Sequence, residues 1–237
     1  MRFQDAAPDA RAIVYAGIQA DPLVARAAAL LADASLPQRL LARGVMNGER
    51  TTPESWRTMF PSLLAPGAQG RERSEDILAV SLEVADRGEQ ARSQYRGAIV
   101  ESLTALLLAR RTGPVRRERR ILFDGVRAEI HPYDVTVEAP GAAEAWDCKW
   151  GARGIGPDVL HQLDDARRNA AGESERLLVG LVIFDAARSC GVRLDRETAP
   201  TEGVRLVTLE RLDRLTGTPV ARPARPADGS AGEPGRA

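Results

Sequence analysis

Lys149 is the only lysine among the 33 basic residues of this chain, and it stands in the stretch AEAWDCKWGA. Residues two apart on a strand share a face, so Lys149 points with Asp147, while Cys148 points the other way, into apolar packing. Upstream, YDVTV and EAWDCK are alternating runs around Pro140-Gly141, the pattern of a hairpin. A turn centred there sets Val137 opposite Glu144, Val135 opposite Trp146 and Asp134 opposite Asp147. Cβ atoms of opposed residues lie about 4.5–5.5 Å apart, a separation at which two carboxylates repel unless positive charge sits between them. Hard oxygen ligands of this kind suit Mg²⁺, which takes one or two carboxylates and keeps several waters. A compact ammonium beside the pair can orient or help deprotonate a water and can shift its pKa, as a guanidinium cannot. The chemistry that such a set could perform is metal-assisted hydrolysis of a phosphate ester.

A third carboxylate has its own argument. Glu101, in GAIVE, has Gly97, Ala98, Thr104 and Ala105 as helical neighbours. On so apolar a face it is expected to be paired, with Arg96 or Arg110, or linked to a metal. Positive charge is densest in ARRTGPVRRERR, which holds Arg110, Arg111, Arg116, Arg117, Arg119 and Arg120 against only Glu118. These arginines could neutralise phosphates, or could equally be a strand edge protected by charge. Arg153 follows the Asp147–Lys149 stretch directly and is a further candidate by position.

Three regions must hold these groups. Residues 1–90 carry helical spacing, with Asp21-Pro22 a helix start, Pro53 near a first turn and PSLLAPGAQGRERSED a loop. Residues 91–217 read as α/β: a long helix ending before Gly113-Pro114, three strand-like runs, a helix after Gly156, and the core strand RLLVGLVIFDA. Residues 218–237 are rich in Pro, Ala and Gly and read as a disordered tail. Two cysteines, no secretory pattern and no apolar run of membrane length indicate a reduced, cytoplasmic protein that does not engage the membrane. A net charge of zero neither demands nor excludes a polyanionic partner.

Asp134, a gap, then Asp147-Cys148-Lys149 resembles the D…(D/E)xK signature of the PD-(D/E)xK nuclease superfamily. The resemblance covers about residues 90–217, and Pro132 stands two residues before the acid rather than directly before it. It implies a restriction-endonuclease-like mixed β-sheet core flanked by helices, here preceded by an α-helical N-terminal region. It also implies a Mg²⁺ cofactor, with Mn²⁺ as a substitute, held by Asp134, Asp147, Glu101 and the backbone carbonyl of Cys148. Gln162, in VLHQL, matches a glutamine that faces the site from the following helix. Asp134, Asp147, Lys149, Glu101 and Gln162 would then be the catalytic set, with Arg116, Arg117, Arg119, Arg120 and Arg153 on nucleic acid. The implied activity is that of a DNA endonuclease in bacterial defence or DNA repair, with the N-terminal helices forming a homodimer or docking a partner protein.

Other chemistries find less support. His131, Cys148, His161 and Cys190 are the whole supply of soft ligands, and no pair has zinc-site spacing. There is no G-x-S-x-G elbow, and GARGIG lacks the Gly-Lys-Ser/Thr ending of a phosphate loop. The alternative from another class is a nuclease-like fold that no longer cuts and serves as a binding or assembly module.

Overall fold

The computed structural model describes residues 1–6, 10–48, 52–111, 113–127, 131–139, 143–199 and 201–217. The hairpin turn expected at Pro140-Gly141 and the tail expected from residue 218 lie outside the described residues. Among the described residues seven strands form one mixed sheet: β1 (Arg2–Asp5), β2 (Val115–Phe123), β3 (Val126–Arg127), β4 (Tyr133–Val137), β5 (Ala143–Lys149), β6 (Leu177–Ile183) and β7 (Val204–Thr208). Six run in the order β1-β2-β4-β5-β6-β7, and the short β3 pairs with β2. Pairing is antiparallel from β1 to β5 and parallel from β5 to β7. Parallel neighbours need a crossover, supplied by α8 (Pro157–Gly172) between β5 and β6 and by α9 (Ala187–Leu194) between β6 and β7. The expected register is present for Val135 opposite Trp146 and Val137 opposite Glu144, whereas Asp134 and Asp147, expected as the next pair, lie beyond the end of the ladder.

The strands explain their own depth. β6, LLVGLVI, is buried almost throughout, as a central parallel strand covered on both faces must be. On β5, Trp146 and Cys148 face one apolar cluster while Ala143 and Ala145 face another, the period-two alternation of a two-sided core. The first cluster joins Val135, Trp146, Cys148 and Val182 to the helices α2 (Pro22–Ala32), α3 (Leu36–Asn47), α6 (Arg71–Ala85) and α7 (Glu89–Leu108). The second joins Ala145, Val179 and Leu181 to Leu160 and Leu163 of α8. Asp147 and Lys149 therefore lie on the α8 side, and Glu101 of α7 approaches from the opposite side.

Two expectations need correcting. Residues 1–90 are not wholly helical, because RFQD pairs with β2 as an edge strand; four residues with one apolar side chain carry too little alternation to be read locally. The segment PSLLAPGAQGRERSED is not one loop, since Pro61–Leu64 forms α5 and Arg71 opens α6. The turn between them is confined by Gly67 and Gly70, whose φ of 82° and 69° suit glycine. The helix start at Asp21-Pro22 is as expected: Asp21 accepts the Leu23 N–H at 2.8 Å, and proline fills a position that needs no donor. Pro53 opens α4 (Pro53–Met59) in the same manner. No helix among the described residues is long and apolar enough to cross a membrane.

One ion pair ties the helical and sheet layers together beneath the surface. Arg111 donates to both oxygens of Glu144, at 2.9 and 2.7 Å, and Trp146 donates to the same carboxylate at 2.9 Å. The two charged side chains are only 9% and 3% exposed. Arg111→Ala would leave Glu144 buried without a counter-charge, and a loss of about 3 kcal/mol in unfolding free energy is expected by urea denaturation.

Candidate active site

The ladder between β4 and β5 ends at the Val135–Trp146 pair. Beyond it the Cys148 N–H is taken by the Asp134 carboxylate, at 2.6 Å. A strand residue turns its N–H and C=O toward the same neighbour, so the Cys148 carbonyl shares that opening with Asp134. Lys149 reaches back to both acids, its Nζ 3.8 Å from Asp134 Oδ2 and 3.8 Å from Asp147 Oδ1. These three residues line a cavity of about 230 Å³ together with His131, Pro132, Asp158, Val159 and Gln162. Asp134, Asp147, Lys149 and Gln162 are thus brought together as the sequence suggests. Cys148 packs its thiol against Thr104 at 3.4 Å, and burial pushes that thiol well above its usual range, so it is inert.

Burial sets the electrostatics. It pushes Asp147 up to about 7, and the charge of Asp134 adds to the shift. Asp134 is raised as well, by burial, although Lys149 and the Cys148 N–H pull it back. Burial alone would lower Lys149, but Asp134 and Asp147 outweigh it and hold the ammonium above the ordinary lysine range. Lys149 is therefore a charged donor in the cation-free chain.

Glu101 is buried, and its partner is neither Arg96 nor Arg110. Tyr15 Oη donates to Glu101 Oε1 at 2.5 Å, and Gln19 Nε2 donates to Oε2 at 2.7 Å; both come from α1 (Ala10–Gln19). The same Gln19 nitrogen reaches Glu118 Oε1 at 3.1 Å. Burial and then the Asp134 charge push Glu101 up to about 8, and the same two causes raise Glu118. Glu118 has a left-handed φ of 52°, a strained conformation for a residue with a side chain, and it interrupts the β2–β4 pairing beside Asp134.

The chain matches no protein-family model, no curated protein and no solved structure.

Asp134 and Asp147 are hard oxygen donors that converge on Lys149 with a raised proton affinity, a donor set that fits a divalent cation such as Mg²⁺ or Mn²⁺. Among the described residues no three acidic or soft side chains converge at ligating distance, so such a cation would complete its shell with water, as Mg²⁺ readily does. Gln162 has a positioning contact: its amide accepts the His131 N–H at 3.1 Å and donates to the His131 carbonyl at 3.0 Å, pinning the approach to β4.

The basic candidates divide. Arg116 and Arg153 are exposed and Arg120 is half-buried. Arg117 donates to Ser102 at 3.1 Å, and Arg119 is held by Glu138, at 2.6 Å, and by Asp5.

The strand end that carries Lys149 is anchored from several directions. Trp150 stacks on Phe184 with ring centroids 4.9 Å apart and donates to Asn47 at 2.6 Å. Asp185 accepts the Ala152 N–H at 3.0 Å and pairs with Arg43 at 2.7 Å. A Cβ on Gly154 would sit 2.8 Å from both Cβ and Cγ of Lys149, at the root of the side chain where it cannot swing away. Gly154→Ala should therefore keep the fold, checked by circular dichroism, while displacing the Lys149 side chain from Asp134 and Asp147. Tyr15, Gln19, Glu118, Asp158 and Asp185 were not singled out by sequence reasoning; Asp158, an acid in the first turn of the helix after Gly156, carried the one local signal that could have marked it.

Proposed function

We propose that the chain is a Mg²⁺-dependent nuclease of the PD-(D/E)xK kind, with the restriction-endonuclease-like core, acting on DNA in the cytoplasm in defence or repair. The observation that carries this reading is the convergence of Asp134, Asp147 and Lys149 on one cavity at the end of β5. The two carboxylates would hold a cation. A bound divalent ion lowers the pKa of an attacking water and shields phosphate charge. The Lys149 ammonium orients that water and meets negative charge developing on the phosphoryl oxygens. Arg116 and Arg153, both exposed, can pair with backbone phosphates, and binding through them would weaken with salt.

Labelled duplex DNA, single-stranded DNA and RNA, each incubated with Mg²⁺, Mn²⁺ or EDTA, decide the substrate class. The reading expects metal-dependent cutting of DNA that Asp147→Ala removes; cutting that persists in EDTA would refute it. A second reading, a silent assembly module, draws on Lys149 already bridging both acids, an arrangement that neutralises the pair without a metal. It predicts no Mn²⁺ binding by calorimetry.

A further inference from the structure

Lys149 is held at two points, its backbone and the root of its side chain. Its carbonyl accepts the Phe184 N–H at 2.9 Å, which prolongs the β5–β6 pairing past the last residue of β6. The side-chain root rests on Gly154, the last residue of a 3₁₀ turn over Ala152–Gly154, where an added Cβ would lie 2.8 Å from the lysine Cβ. That turn is fixed by its first residue, because the Ala152 N–H donates to Asp185 Oδ2 at 3.0 Å. The Gly154 N–H returns to the Gly151 carbonyl at 2.9 Å, so the end of the turn follows its start. Phe184 and Asp185, the two supports, are neighbours at the end of β6, and one guanidinium grips both. Arg43 of α3 donates through Nε to the Phe184 carbonyl at 3.1 Å and pairs through Nη2 with Asp185 Oδ1 at 2.7 Å. The Ala186 N–H donates to the same Oδ1 at 2.7 Å, and the Asp185 carbonyl accepts the Leu209 N–H at 3.1 Å. With both carboxylate oxygens taken, Asp185 is a support and not a further site acid.

We infer that Arg43 and Asp185 are positioning residues for Lys149, through which the N-terminal helices set where its ammonium stands. Only what the ammonium then does rests on the nuclease reading; its placement needs neither metal nor DNA. A lysine stem is flexible, and Lys149 Nζ stays 3.8 Å from each site carboxylate, so no tight hydrogen bond holds the tip. Its direction must come from the root, where Gly154 closes one side. A guanidinium suits the joint, because its planar fork reaches a carbonyl and a carboxylate at once. The joint matters to rate, since moving a reacting group by about 1 Å can cost about 100-fold.

Lys149 is the only lysine, so protein grown with lysine labelled by ¹³C at Cε gives one side-chain signal by NMR. In the wild type its two Cε protons are expected at separate positions, as in a side chain held in one conformation. Asp185→Asn keeps an oxygen for the Ala152 N–H and should leave that signal in place. Asp185→Ala removes the support, and Arg43→Met in the Asp185→Asn chain removes the grip without leaving a buried carboxylate unpaired. Each is confirmed folded by its thermal transition. In both, the two proton signals are expected to merge at the position of a free lysine, and plasmid nicking with Mg²⁺ should fall at least about 10-fold with KM unchanged. Arg111→Ala, destabilised elsewhere, should keep the wild-type lysine signal, which separates positioning from stability. A wild-type signal in either folded variant, a merged signal in the wild type itself, or a merged signal with nicking unimpaired would overturn the inference. Absence of nicking by the wild type would overturn the nuclease reading instead, and the lysine signal would still decide the placement.

Discussion

Lys149→Arg should give a folded protein that, if the chain is the nuclease proposed, cuts DNA at no more than about one-hundredth of the wild-type rate, although charge is conserved. The ammonium sits 3.8 Å from each of two carboxylates, too far for a tight hydrogen bond to either and close enough to serve both. It thus keeps N–H donors for a water or a phosphoryl oxygen. A guanidinium is longer, planar and forked, and a pair of carboxylates is the kind of partner to which it binds bidentately. It would close into an ion pair and leave nothing to offer the reacting group. Thermal denaturation should show Lys149→Arg as stable as the wild type or more so, so the loss belongs to chemistry and not to folding. Cleavage by Lys149→Arg within three-fold of wild type would mean that the position needs only a positive charge.

Without divalent cations the protein should lose stability as pH rises from about 5 to about 8. Asp147 and Glu101 titrate at about 7 and about 8 in the folded chain, above the ordinary carboxylate range, because burial and then the charge of Asp134 disfavour their ionised forms. The folded state therefore holds these protons more tightly than the unfolded state. The contribution is fully present below the unfolded pKa values, near 4, and is lost as pH climbs to the folded ones. Asp21, Glu75, Glu89 and Glu173 have lowered pKa values, so their contributions fade only as pH falls below about 4 and do not disturb this window. A marked fall in unfolding free energy between pH 5 and pH 8 is expected by urea denaturation in EDTA. Mg²⁺ or Mn²⁺ should flatten the curve, stabilising more at pH 8 than at pH 5.5, because a cation replaces the protons. Stability that rises over this interval in EDTA would show that the acids are not held as described.

The parts of this arrangement that the sequence revealed are those written in local periodicity. YDVTV and EAWDCK alternate with period two around Pro140-Gly141, and that pattern alone gives the Val135–Trp146 register and puts Asp147 and Lys149 on one face, with Asp134 just past the end of the ladder. Proline and an acid at Asp21-Pro22 marked a helix start for the same reason, that the signal lies within a few residues of its effect. What stayed hidden is set by distance along the chain. Tyr15 and Gln19 find Glu101 more than eighty residues later, and no spacing rule connects them. Glu118 looked like a stray acid in a basic run, and only the β2–β4 pairing puts it beside Asp134. Arg119, a phosphate-contact candidate by its place in a basic run, is paired in the fold with Glu138 and Asp5, residues far from it in sequence. β1 shows no pattern of its own because its extended form comes from the β2 edge.

If Asp134, Asp147 and Lys149 form a metal-dependent site for phosphodiester hydrolysis, the chain must nick a supercoiled plasmid in a single turnover. Wild type and Asp147→Ala, run side by side, decide the matter. Open-circular and linear product is expected from the wild type with Mg²⁺ or Mn²⁺, and none in EDTA. Folded Asp147→Ala should lose at least about 1,000-fold, on the order of 4 kcal/mol of transition-state stabilisation. Nicking by Asp147→Ala at the wild-type rate, or the same rate in EDTA as in Mg²⁺, would contradict such a site.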